Sequence, residues 1–170
     1  MIDVDSLIKK IIPYPADYSH RDGFNNELII DNLESDEKES VEVALINLLD
    51  KHPEDTLIVE TLAYLKSVKS IPILYDLLKK CSKGVRKLKI ATSIFQINQD
   101  TDLMDIAISE TKQMDDKKDP YYIYKLTSAF YSLAKFQNEN ANNFIESYVT
   151  HDEPLISYNA KRALTIYSKK

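Results

Sequence analysis

The feature that most constrains this chain is an apolar pattern that recurs four times along it. The copies are anchored by large residues that stand 32, 36 and 34 positions apart, at Leu62, Ile94, Phe130 and Leu164. Apolar residues also stand four positions before and three positions after each anchor, and these offsets share one face of an α-helix. Stacked neighbours can bury such faces. The repeat therefore predicts an α-solenoid of about four antiparallel helical hairpins; the alternative is an ordinary helical bundle whose similar spacings are accidental.

A column of small residues accompanies the repeat, one position before each anchor. Its members are Thr61, Ser93, Ala129 and Ala163. Two helices approach each other closely only where the side chains between them are small, because protein interiors are packed without gaps. Close stacking of successive hairpins requires such a column. The first helices of the hairpins repeat more loosely, at Val41, Ile71, Leu103 and Ala141.

The prolines indicate where the predicted helices begin, and the low number of glycines excludes several other folds. Apolar stripes predict about eight helices of roughly 11 to 18 residues after residue 36. Pro53, Pro120 and Pro154 stand where helices are expected to begin, because a first-turn residue needs no N–H donor. The chain has only two glycines, too few for the turns of a many-stranded sandwich or for a glycine-rich phosphate loop. We therefore expect an all-α fold.

The length of 170 residues is typical of a single domain, 1–170. Residues 36–168 carry the helical repeats. The first 35 residues are less regular, because prolines at positions 13 and 15 interrupt a short helix over 4–12, and a second short helix follows over 24–33. We expect residues 1–35 to form an irregular cap over the first pair of helices.

Segments of the repeat resemble short units of the HEAT-repeat family. Residues 62–78, LAYLKSVKSIPILYDLL, are similar to the end of one HEAT hairpin, its polar turn and the start of the next. Val85-Arg86 resembles the Val-Arg start of the second helix, and residues 159–164, NAKRAL, resemble its Ala-x-x-Ala-Leu centre. The similarity covers about residues 37–168. It implies that the second helices of the hairpins line a concave surface, which in this family commonly binds ligands.

The chain departs from the HEAT pattern at the end of each second helix. The glycine that often stands there is replaced by Lys66, Asn98, Ala134 and Ser168. Tetratricopeptide repeats have a similar period and are the second choice. They normally carry tryptophan and Gly-Tyr landmarks in their first helix, and this chain has no tryptophan.

Charge is distributed unevenly along the chain, which carries a net charge of −5. Residues 1–60 contain fifteen acidic and five basic side chains, a sum of −10, whereas the other 110 residues contain twelve and seventeen, a sum of +5. These charges either solvate the helices or attract an oppositely charged partner. Only three of the 22 basic residues are arginine. Because bidentate recognition of phosphates and bases favours arginine, we expect no specific nucleic-acid binding.

The sequence lacks a pattern typical of a catalytic or metal-binding site. His52 and His151 stand in predicted turns, and the HRDG run that begins at His20 has none of the accompanying motifs of a kinase. The single cysteine, Cys81, excludes an intramolecular disulfide and a cysteine-based zinc cluster. We therefore predict no enzymatic activity, no cofactor and no metal.

The candidate partner-binding residues stand on the second helices, at offsets away from the buried face. They combine aromatic, hydroxyl and basic side chains: Lys89, Thr92, Phe95, Tyr124, Lys125, Ser128, Tyr131, Tyr158 and Arg162. Tyrosine and arginine dominate many protein interfaces, because they bury a large area and keep a polar end. The alternative is that several of these tyrosines complete the core between repeats.

These residues favour a non-enzymatic module that binds another protein on its concave helical surface. One specific form is an immunity protein that neutralises a bacterial toxin by occlusion. The HEAT resemblance also leaves open an enzyme of that family acting on DNA bases or bilin chromophores. We expect a cytoplasmic protein that does not enter a membrane, because neither a leader peptide nor a stretch of roughly 20 apolar residues stands out.

Overall fold

A computed structural model describes residues 3–13 and 26–167 of the chain. The regular structure of these residues is entirely helical, so the predicted all-α class is confirmed. A 3-10 turn, Val68–Ser70, precedes the fifth of ten α-helices that pack together. The helices are α1 (Val4–Ile11), α2 (Asn26–Asp31), α3 (Ser35–Lys51), α4 (Thr56–Tyr64), α5 (Ile71–Lys80), α6 (Val85–Asn98), α7 (Asp102–Met114), α8 (Tyr122–Ala134), α9 (Glu139–Glu146) and α10 (Pro154–Tyr167).

The two N-terminal helices pack on the first pair of long helices. α1 contacts α2 and α3, and α2 contacts α4. α1 begins where Asp3 Oδ1 accepts a hydrogen bond from Ser6 N at 3.1 Å, an N-cap that satisfies a free donor. Ile11, Ile12 and Ile30 are buried in the common core. Both short helices expected near the N-terminus are present, and residues 14–25 of the predicted cap lie outside the described residues.

Aspartates, more than prolines, start two of the later helices. Asp55 Oδ1 accepts from Leu57 N at 2.9 Å where α4 begins, and Asp119 Oδ1 accepts from Tyr121 N at 2.9 Å just before α8. Of the three prolines expected at helix starts, Pro154 alone is the first residue of its helix. Three helices are shorter than predicted: α4 has 9 residues, α5 has 10 and α9 has 8.

Contacts between even-numbered helices give their relative direction. Lys89 Nζ of α6 lies 2.9 Å from Glu60 Oε2 of α4. Farther along both helices, Lys66 Nζ, just past α4, donates to Gln96 O of α6 at 2.6 Å. Residue numbers rise together in the two contacts, so α4 and α6 run parallel.

Two odd-numbered helices are parallel by the same criterion. Lys112 Nζ of α7 lies 6.0 Å from the ring centre of Phe144 in α9. Beyond both helices, Tyr148 Oη donates to Asp115 Oδ2 at 3.0 Å. α6 also contacts α8, and α8 contacts α10. Even-numbered helices therefore pack on even-numbered ones, and α7 packs on α9.

The small column predicted from the repeat is buried at every position. Thr61 and Ser93 are 2% and 1% exposed, and Ala129 and Ala163 are fully buried. Three of the anchors, Leu62, Ile94 and Phe130, are also fully buried, and Leu164 is half-buried. The repeat identified the packed face of the even-numbered helices correctly.

Left-handed residues stand just past three even-numbered helices, where the HEAT pattern often has glycine. Lys66, Gln99 and Gln137 have φ values of 56°, 60° and 48°. Only at Lys66 does the left-handed residue coincide with the position just past the apolar column of the repeat, because the corresponding residues of α6 and α8 are Asn98 and Ala134. A non-glycine residue in this region brings its Cβ too close to a carbonyl oxygen, at a cost of about 1 kcal/mol or more.

Substituting Gln137→Gly is expected to raise the free energy of unfolding by about 0.5 kcal/mol. The substitution removes the steric cost of the left-handed conformation, and the greater freedom of glycine in the unfolded state offsets only part of that gain. All three side chains are exposed, but those of Lys66 and Gln99 also donate hydrogen bonds to backbone carbonyls, so Gln137 is the cleanest position for this test. Urea unfolding followed by circular dichroism measures the change. Gln137→Val should lower stability instead, and equal midpoints for the two variants would contradict the explanation.

Candidate functional site

The nine residues predicted to bind a partner occupy three even-numbered helices. α6 carries Lys89, Thr92 and Phe95, α8 carries Tyr124, Lys125, Ser128 and Tyr131, and α10 carries Tyr158 and Arg162. Seven of the nine are at least partly accessible to solvent. They do not form one uniform surface, because burial separates those on α6 from those on α8 and α10.

Thr92 and Phe95 are corrections to the predicted set. Thr92 is 2% exposed and Phe95 is 9% exposed. Phe95 stacks on Phe136, with ring centres 4.4 Å apart, and Phe136 lies just past the end of α8. Both residues therefore belong to the packing between helices and offer no surface to a partner.

Both lysines in the predicted set are engaged by carboxylates. Lys89 pairs with Glu60 across the α4–α6 contact at 2.9 Å. Lys125 pairs with Asp119, which precedes α8, and this hydrogen bond, supported by one from Tyr121 N, holds the pKa of Asp119 below its usual value. These pairs neutralise much of the positive charge that Lys89 and Lys125 bring to the predicted set.

Tyr131 joins two helices instead of standing free. Its Oη donates to Asn159 Oδ1 of α10 at 2.7 Å, and partial burial raises its pKa above the usual value. Tyr148 is similar: burial, then its hydrogen bond to Asp115, raises its pKa to about 12. Of the candidate tyrosines, Tyr131 therefore contributes to the packing between helices; Tyr148 does so too but was not in the predicted set.

Four large apolar side chains are exposed near the starts of α8 and α10. Tyr121 and Tyr124 are 63% and 71% exposed, and Leu155 and Tyr158 are 51% and 58% exposed. Each pair is spaced three residues apart and therefore shares a helix face. α8 and α10 contact each other and are joined through α9 by short connections, so they run in the same direction. We call these four residues the aromatic patch.

Arg162 adds a positive charge beside the aromatic patch. It is exposed, and its Nη1 donates to Tyr158 Oη at 3.4 Å. Within the described ranges it forms no ion pair with a carboxylate. The patch therefore offers broad apolar area and one available cation.

A second feature is a cavity of about 880 Å³ between α1 and the even-numbered helices, which we call the α1/α6 cavity. Its apolar walls come from α1, α3, α4 and α6: Ile8, Ile12, Leu48, Ile58 and Val85. Arg86, Lys89 and Ser128 supply polar groups to it, so two predicted site residues also border this cavity.

Catalytic groups do not converge in the described part of the chain. No three histidine, cysteine, aspartate or glutamate side chains there are placed to hold a metal ion. His151 Nδ1 accepts from Glu153 N at 2.9 Å, His52 lies 3.7 Å from Glu54, and the half-buried Cys81 ends α5. His20 and the HRDG run lie outside the described residues.

Comparisons with known proteins do not assign these features to a family. The sequence matches no family model, and neither curated proteins nor solved structures give a significant match. Over residues 3–13 and 26–167, none of the helices is both long enough and apolar enough to cross a bilayer. Interpretation of the site therefore depends on its own residues.

The sequence analysis missed the α1/α6 cavity, because one of its walls comes from outside the repeat. A signal was present: Ile8 and Ile12 are four residues apart and so share one face of a helix. The sequence pattern places Arg86 at a helix start and gives no sign that it borders a cavity. Nothing in the repeat indicated that α1 would approach the start of α6.

Proposed function

We propose that this protein is a non-enzymatic module that binds another protein through the aromatic patch and Arg162. The observation that carries the proposal is the exposure of Tyr121, Tyr124, Leu155 and Tyr158, each more than half accessible. Large apolar side chains that are exposed in a group, beside a cation, commonly mark interaction sites. Tyrosine also gives a large contact area with few rotatable bonds to restrict.

The helix arrangement supports interpretation as a short HEAT-like solenoid. α4 and α6 run parallel, as do α7 and α9, which is the order expected when hairpins stack. In such a stack the even-numbered helices form one continuous surface. The aromatic patch would then lie on that surface, near its C-terminal end.

The chemistry of the patch favours a partner with an apolar anchor and an acidic group. The tyrosines and Leu155 would cover the anchor, and Arg162 would pair with a carboxylate in a bidentate manner. Asp119 already neutralises Lys125, so Arg162 carries the charge complementarity. A toxin that is neutralised by occlusion is one partner of this kind.

The proposal is tested by photo-crosslinking from the patch. We would place benzoylphenylalanine at position 158 in cells, identify the captured protein by mass spectrometry, and measure its affinity as a purified protein by calorimetry. The double variant Tyr124→Ala/Tyr158→Ala should bind that protein at least about tenfold more weakly, because central interface tyrosines often contribute more than 1 kcal/mol each. Thermal unfolding should change little, since both side chains are exposed.

Val68→Ala is the matched control, because Val68 is 73% exposed and stands between α4 and α5, away from the patch. This variant should bind the partner as the wild type does. Equal affinity of the double variant and the wild type for every captured protein would overturn the proposal. Tight binding to duplex DNA with a steep salt dependence would also contradict it.

A further inference from the structure

The α1/α6 cavity is separate from the aromatic patch and has the size of a small-molecule site. Its volume is about 880 Å³, and pockets for drug-sized ligands span about 300 to 1,000 Å³. α1 forms one wall, and α4 and the first turn of α6 form the opposite one. The cavity therefore depends on how the N-terminal helix packs against the repeat.

The interior of the cavity is apolar. Ile12 and Ile58 are 4% and 1% exposed, while Ile8, Leu48 and Val85 are partly buried and pack on the same core. An aliphatic or aromatic body placed against these side chains would leave water at about 25 cal/mol for each Å² buried. The apolar walls alone would accept many apolar molecules. The polar groups therefore determine which functional group a ligand must carry.

Arg86 is the polar group whose hydrogen bonds are incomplete. Its Nη2 donates to Pro53 O, but its Nε is buried without an acceptor among the described residues. No carboxylate in the described part of the chain pairs with its guanidinium, although arginine keeps its charge in proteins. Lys89, the neighbouring cation, already pairs with Glu60 at 2.9 Å. Arg86 Nε is therefore a buried donor at this cavity without an acceptor among the described residues.

The acidic residues that border the cavity are engaged elsewhere or stand at its edge. Asp55 Oδ1 caps α4 by accepting from Leu57 N at 2.9 Å. The Glu54 side chain is 71% exposed and lies 3.7 Å from His52, and Asp5 is exposed on α1. Among the described residues, no ion pair joins any of these carboxylates to the half-buried guanidinium of Arg86.

We propose that the α1/α6 cavity binds an amphipathic carboxylate, a small acid whose apolar body lies against Ile8 and Val85 and whose carboxylate pairs with Arg86. A carboxylate matches the planar fork of a guanidinium and accepts two hydrogen bonds from it. A small adjustment of the Arg86 side chain would bring Nε into that pair. The ligand would stabilise the packing of α1, because it contacts α1 and α6 at once.

Dodecanoate, used below its micelle concentration, is the probe, and isothermal titration calorimetry measures its binding to the full chain. Wild-type protein should bind it saturably, and methyl dodecanoate, which has the same chain without the charge, should bind roughly tenfold more weakly or worse. Arg86→Met keeps most of the side-chain length and removes the charge, so it should weaken dodecanoate binding by a similar factor. Lys79→Met, which removes an exposed charge from α5, should leave binding unchanged.

A second variant keeps the test decisive if Arg86→Met does not fold. Ile8→Trp adds volume from the partly buried face of α1 and should block the cavity, so dodecanoate binding should be lost. Absence of saturable binding to the wild type, equal binding of the methyl ester, or unchanged binding to both variants would overturn the proposal. The double variant Tyr124→Ala/Tyr158→Ala should bind dodecanoate normally, so failure of this proposal and failure of the protein-binding proposal are distinguishable.

Discussion

Replacing Glu110 by alanine is expected to lower the free energy of unfolding by about 3 kcal/mol, because it removes the buried carboxylate that pairs with Lys87 and caps α6. Glu110 is 3% exposed in the last turns of α7. Its Oε1 lies 3.0 Å from Lys87 Nζ, and its Oε2 accepts from Gly84 N at 2.8 Å. Urea unfolding followed by circular dichroism at 222 nm measures the change.

The size of the effect comes from the role of Glu110 at the start of another helix. Gly84 is the N-cap of α6, and it has no side chain with which to cap the free N–H groups. The Glu110 carboxylate supplies that acceptor from α7 and places a negative charge at the positive end of α6. Its loss leaves an unsatisfied donor and an unpaired Lys87 together.

Two further variants distinguish this buried pair from an ordinary surface pair. Glu110→Gln retains an acceptor for Gly84 N and loses the charge, so its destabilisation should be smaller than that of the alanine variant. Glu39→Ala removes an exposed ion pair with Lys69, whose nitrogen–oxygen distance of 2.9 Å is nearly the same. That variant should leave the urea concentration at the unfolding midpoint almost unchanged. If Glu110→Ala and Glu39→Ala shift the midpoint equally, burial does not determine the effect.

The packed face was predictable because its signal is local and repeated. The same residue types recur at fixed offsets in the anchors Leu62, Ile94 and Phe130 and in the small column. An apolar face at helical spacing is expected to be buried against another part of the protein. Glu110 was not predictable in this way. Its partners stand 26 and 23 residues earlier, at Gly84 and Lys87, and a charged residue near a helix end usually faces solvent.

Offsets alone could not separate exposed from buried members of the candidate site. Thr92 and Arg162 share one offset from their anchors, yet Thr92 is buried and Arg162 is exposed. α6 packs against helices on several sides, α4, α5, α7 and α8, whereas α10 packs chiefly against α8 and α9. The same offset is therefore covered in α6 and open in α10, and an offset contains no information about the helices that pack against it.

Enlarging Ala129 to leucine is expected to lower the free energy of unfolding by about 2 to 3 kcal/mol, because the added atoms have no space in a packed core. Ala129 is fully buried in α8, a helix that contacts α6, α7, α9 and α10. The extra side chain must push at least one of these helices away or adopt a strained rotamer. Urea unfolding measures the loss of stability.

Ser128→Leu is the matched control, because Ser128 is the preceding residue of α8 and its side chain is exposed. Both substitutions introduce the same side chain into the same turn. Leucine is a slightly poorer helix former than alanine and a slightly better one than serine, so propensity changes each variant by only about a few tenths of a kcal/mol. Only Ala129→Leu alters the small column, and the Ser128 variant should therefore stay within about 0.5 kcal/mol of the wild type. Similar destabilisation by both variants would mean that the column does not control how closely these helices pack, and the argument from the repeat to stacked hairpins would lose its physical basis.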